Sequence, residues 1–61
     1  MKLETINKIK ALKIVNGFFV STKTQQQDVL RTAQTLRQMG LITFRVVTTK
    51  MVAGGWKVVA V

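Results

Sequence analysis

The side chains able to do chemistry in this sequence are few, and nearly all of them are cations. There is no cysteine and no histidine, and the carboxylates are Glu4 and Asp28 alone. Nucleophilic catalysis needs a nucleophile beside a base, and metal binding needs a cluster of Cys, His or acidic ligands. Neither set can be assembled within one such chain. The sequence therefore predicts a protein with no catalytic residues, no metal and no cofactor. What it does hold is ten Lys/Arg against two acids, a net charge of +8 and a pI near 11.2. Solubility alone would be served by a smaller charge of either sign. A charge this large predicts a polyanion partner, nucleic acid and DNA first, with an acidic protein surface as the alternative.

The candidate contacts are Arg31, Arg37, Arg45, Lys50 and Lys57, each a phosphate ligand by charge. Trp56 stands among the last three, in "GGWKVVAV", where an aromatic would stack on a base or wedge into a minor groove. The competing assignment for Trp56 is the core, because a small domain needs the apolar area a tryptophan supplies.

The elements that must position these side chains come from a chain of 61 residues, enough for one domain. Such a chain buries only about 60% of its unfolded surface, so its stability is marginal without help. A hydrophobic share of 48% nevertheless predicts folding. No apolar run approaches a membrane span. The start, "MKLETINKIKALK", lacks the apolar core and cleavage site of a signal peptide, so a cytoplasmic location is expected.

"STKTQQQDVLRTAQTLRQMG" carries the clearest local pattern. Val29, Ala33, Leu36 and Met39, with Leu30 beside them, recur at helical spacing and predict a helix over 24–39. Thr24 with Gln27 is the best capping pair and Thr22 with Gln25 the close competitor. Asp28 falls in the first turn of that helix, where the dipole favours an anion. Gly40 ends it in a left-handed conformation, with Leu41 set to touch Leu36. The opposite face carries Gln27, Arg31, Gln34, Thr35 and Gln38, with Arg37 on its flank. These are base- and phosphate-reading side chains, and also ordinary residues of an exposed helix face.

After Gly40 the period changes to two. "LITFRVVTTKMV", "GG" and "WKVVAV" predict a β-hairpin over 42–61. A two-residue turn sets Trp56, Val58 and Ala60 beside Met51, Thr49, Val47 and Arg45. A three-residue turn sets them beside Val52, Lys50, Thr48 and Val46, since one residue of slip exchanges the faces. Ahead of the helix, Phe18–Val20 reads as a short buried strand. "NG" at 16–17 is a candidate hairpin turn between "ALKIV" and "FFVS". Leu3, Ile6, Ile9 and Leu12 fall three apart as on a helix, yet lysines and β-branched isoleucines weaken that pattern. Residues 1–11 are therefore expected as an irregular or short-strand lead-in, with a helix as the alternative.

The expected fold is α+β, in the order β-α-β-β, with three strands in one antiparallel sheet and the helix on one face. Its core should hold Phe18 or Phe19, Val29, Leu30, Ala33, Leu36, Leu41, Phe44 and Val46. "WKVVAV" should form an edge strand, open to pairing with a partner or with a second copy in a homodimer.

"LKIVNGFFV" and "GGWKVVAV" resemble a group of small uncharacterised proteins of tailed phages and prophages. Their pattern is roughly "LKVGxSFFV", a Lys/Arg/Gln-rich helix, then "TxRxVxGG(W/Y/V)xVxRV". The likeness spans Leu12 to Val61 and rests on Leu12, Phe18, Phe19, Val20, Thr43, Arg45, Gly54, Gly55, Trp56 and Val58. This chain departs from it with "VNG" where the group has a Gly-acid-Ser turn, and with Ala60 where an arginine is common. The resemblance implies a phage origin and the order strand, helix, hairpin; it transfers no activity and no functional residue. The helix and basic hairpin are also similar in outline to a winged helix, but 21–40 holds one helix where that fold has two. The functions to weigh are a regulatory nucleic-acid-binding protein, an inhibitor or adaptor docking on an acidic host protein, and a minor virion component.

Overall fold

The computed structural model describes residues 2–61. They form α1 (Leu3–Lys10), a 3-10 turn (Ala11–Lys13), β1 (Phe18–Val20), α2 (Lys23–Gln38), β2 (Val46–Lys50) and β3 (Trp56–Ala60). The fold is α+β, with a three-stranded antiparallel sheet and the helices on one face of it.

Thr22, the competitor, caps α2 rather than Thr24. Its hydroxyl accepts the Gln25 backbone N–H at 3.1 Å. The Gln25 side-chain oxygen in turn accepts the N–H of Thr22 at 3.3 Å and both the N–H and hydroxyl of Ser21, at 3.0 and 3.2 Å. T-x-x-Q occurs at 22–25 and again at 24–27, and Ser21 supplies two further donors only to the first. The earlier start moves Asp28 into the second turn, so no acid sits at the helix N-terminus. Thr22→Ala should cost about 1 kcal/mol, a fall in Tm of roughly 4–8 °C for a domain of this size. Thr24→Ala should leave the melting curve nearly unchanged. At the other end, Gly40 donates to the Arg37 carbonyl at 3.0 Å and Leu41 to that of Leu36 at 2.9 Å. These are the two bonds of a Schellman stop.

The lead-in is helical, which corrects the expectation of an irregular or strand-like segment. Glu4 in its first turn and Lys8 and Lys10 in its last suit the helix dipole. Lys8 reaches Glu4 at 3.4 Å, an exposed pair that adds little. Eight residues do not hold a helix in water by themselves. Docking does: Ile9 is fully buried and Leu12 nearly so. A spacing of three drifts backwards around an α-helix by about 60° per step. Leu3 has therefore rotated into solvent, while the 3-10 turn, with three residues per turn, keeps Leu12 in line with Ile9. Asn16–Gly17 is accordingly no hairpin turn; a 3-10 turn, not a strand, precedes it.

One core cluster joins both helices to the sheet: Ile9, Leu12, Val29, Ala33, Leu36, Ile42, Val46 and Val58, with Phe18 and Phe44 partly buried against it. Phe18 is the inward member of its pair. Phe19 is 66% exposed. Leu41 points outward and Ile42 takes the expected core place, while Leu30 is only partly buried and Met39 is exposed.

The strand order is β1-β3-β2. β3 is therefore the central strand, with partners on both sides, and the expected pairing of "WKVVAV" with a second copy has no free edge to use. The geometry of α2 explains this. β1 and β2 both run antiparallel to β3, and α2 connects them. A helix about 10 Å across covers two strand spacings of about 4.8 Å, leaving a slot that the hairpin's second strand fills. The free edges belong to β1 and β2.

Candidate nucleic-acid interface

The hairpin register decides what each strand presents. Lys50 pairs with Trp56, Thr48 with Val58 and Val46 with Ala60. Met51 N–H donates to the Gly55 carbonyl at 3.0 Å, closing the ladder on the three residues Val52, Ala53 and Gly54. This is the three-residue alternative, and it places Trp56, Val58 and Ala60 on the face that meets the helices. Val58 there is fully buried. Thr48 accepts a hydrogen bond at 2.9 Å from the Gln26 amide of α2. Trp56 lies at the hairpin end of this inward face, partly buried and outside the core cluster. The Lys50 ammonium sits 4.3 Å from its ring centroid. Trp56 thus packs at the periphery of the inner face with one ring face under a cation.

The other face of the sheet carries no helix. Alternation along the strands puts Phe19, Lys57 and Thr49 in one row across β1, β3 and β2. Val59 and Val47 form the next row. Arg45 and Val61 follow, exchanging backbone hydrogen bonds of 3.3 and 2.8 Å. Directly opposed residues hold their Cβ atoms about 5 Å apart. Lys57, partly buried, stands between Phe19 and Thr49 in this row, and a lysine so placed buries its stem while its ammonium stays in water. The outer face thus presents one exposed aromatic, two cations and three valines.

The six residues singled out from sequence do not converge. Arg45 and Lys57 share the outer face. Lys50 and Trp56 lie at the hairpin end of the inner face. Arg31 and Arg37 are exposed on α2, in the helical layer behind the sheet. Being six residues apart, they point about 120° from one another around the helix axis. Phe19, exposed on the outer face, was not among the residues singled out from sequence. Its signal was present: in a strand of period two, only one of two adjacent phenylalanines can face the core.

The charges are segregated as well. Glu4 and Asp28, the only carboxylate side chains, both line a groove between α1, β1 and α2, together with Lys2 and Lys8. Two acids and two lysines cancel there. The other eight cations are Lys10, Lys13, Lys23, Arg31, Arg37, Arg45, Lys50 and Lys57. The whole net charge of +8 lies outside that groove. Among the described residues, no helix is long and apolar enough to cross a membrane.

No family model, no curated protein and no solved structure matches this chain.

Proposed function

We propose that this is a non-catalytic nucleic-acid-binding protein, of the phage type its sequence resembles, acting as a regulator in the bacterial cytoplasm. The observation that carries the reading is the segregation of charge. Both acids line one groove at the β1 edge, which Phe19 also borders. No strand of the sheet carries an acid, so the Arg45 and Lys57 rows of the outer face hold no carboxylate side chain to repel a phosphate backbone. Arg45 and Lys57 are the phosphate contacts, and Phe19 replaces Trp56 as the aromatic. Two contacts give a log K against log salt slope of about −1.4 to −1.8. That is shallower than the slope near −4 to −5 that five converging cations would produce. Lys57→Ala should weaken binding to all sequences alike and reduce the slope by about 0.7 to 0.9. Anisotropy titrations of a labelled oligonucleotide at several salt concentrations measure both. A parent slope of −4 or steeper would require more cations than the outer face carries and would overturn this assignment of the contacts, and no salt-sensitive binding at all would end the proposal.

The second reading, an inhibitor or adaptor on an acidic host protein, draws on the apolar side chains of the same face. Phe19 and Val61 are 66% and 77% exposed beside Arg45 and Lys57, and aromatic residues with arginine mark the centres of protein interfaces. Pull-down from a bacterial lysate with and without nuclease separates the two, since only a nucleic-acid complex is lost on digestion.

A further inference from the structure

Resting on the nucleic-acid reading, we infer that the outer sheet face binds single strands in preference to duplex, with Phe19 as the platform on which a base stacks. Three features of that face lead there. The first is its breadth. Three strands put about 10 Å between the outer strand axes before side chains are added. The major groove, about 12 Å wide, admits a helix or a two-stranded ribbon, so this face does not enter it to read bases. An unpaired strand has no such constraint and can lie flat across a sheet.

The second feature is the placement of the aromatic. Phe19 is on β1, the edge strand, with 66% of its surface exposed although its neighbour Phe18 packs against the core. An exposed phenylalanine costs solvation and gives the core nothing. Phe19 pairs with Lys57 across β1 and β3, on the same face of the sheet, and also borders the groove that holds Lys2 and Lys8. Stacking on an aromatic next to a cation that takes the phosphate is the sequence-tolerant way to hold an unpaired base. The third feature is charge complementarity along the strand direction. Arg45 and Lys57 lie at opposite ends of the face. From Arg45 to Thr49, the partner of Lys57, is about 13 Å at ~3.3 Å per residue. Between them lie only valines, which leave room for bases and offer no fixed donor for reading their edges. The binding is accordingly not sequence-specific.

The test uses the full chain with a labelled oligothymidine strand and a duplex of equal length at matched salt. The strand should bind more tightly than the duplex. Phe19→Ala should lower its affinity roughly fivefold to a hundredfold without moving Tm, and Phe19→Trp should keep the affinity. Trp56, the only tryptophan, faces the helices, so its emission in the parent protein should not change as the strand is added. Duplex binding as tight as that of the strand, an unchanged affinity in Phe19→Ala, or strong quenching of Trp56 would each overturn the inference. So would polyglutamate displacing the strand as well as unlabelled oligothymidine does, the result expected of an acidic-protein site. Salt-sensitive binding to both nucleic acids that ignores Phe19 would leave the proposed function standing while this inference falls. No binding to either would remove both.

Discussion

Replacing Ile9 with alanine should remove a large share of the stability of the protein. Ile9 has no exposed surface and joins α1 to α2 and the sheet through the common core. Truncating a buried isoleucine to alanine costs about 2–5 kcal/mol, the lost transfer energy plus that of the cavity. At about 0.05–0.15 kcal/mol per residue, a 61-residue domain has some 3–9 kcal/mol in all. One side chain thus holds a large share of the stability, although it lies in a segment whose sequence pattern is equivocal. Ile14→Ala is the control, because Ile14 is 87% exposed and should change stability by less than about 0.5 kcal/mol. Urea denaturation of the two variants compares them directly. Equal midpoints would mean that α1 is not docked.

Gly17→Ala should destabilise by about 2–6 kcal/mol, for two reasons that add. Gly17 holds φ at +116°, a conformation costing other residues about 1–3 kcal/mol. An added Cβ would also collide with the Val58 carbonyl oxygen and press on Val59 Cγ1 at 3.0 Å. Overpacking of that kind costs about 1–3 kcal/mol more, and Val58 cannot retreat because β3 is clamped on both sides. Gly40→Ala separates the two terms. Gly40 has a φ of +77° and nothing within 4 Å of an added Cβ, so only the backbone strain applies. If both variants lose the same stability in thermal melts, the close approach of residue 17 to the central strand is wrong.

Sequence and structure agree most closely where the signal is local. α2 is legible because its apolar stripe, its capping residues and Gly40 all lie within one stretch of chain, and each acts on its immediate neighbours. Its start slipped by two residues because the capping pattern is repeated, and Ser21 breaks the tie only through a hydrogen bond. The lead-in was harder. A stripe of period three would need 3-10 winding throughout, and the chain winds that way only from Ala11. Leu3 is therefore lost to solvent while Leu12 stays in line with Ile9. The sequence named the cations and Trp56 without their faces: Arg45 and Lys57 lie together on the outer face, whereas Lys50, Trp56, Arg31 and Arg37 are placed elsewhere by the layers of the fold.

The sequence by itself determined the charge, the absence of cysteine and histidine, the long helix with its stop, and the presence of a hairpin. All of these follow from composition or from contacts a few residues apart. Only the tertiary structure decided which strand is central, which face of the hairpin meets the helices, and which of Phe18 and Phe19 is buried. A pattern of period two is unchanged in form when both faces exchange, so alternation alone cannot choose between them. Val58 and Trp56 point inward because α2, crossing from β1 to β2, leaves a central slot and packs against that side of β3. The same crossing leaves the other side bare, with Phe19, Lys57 and Arg45 on it.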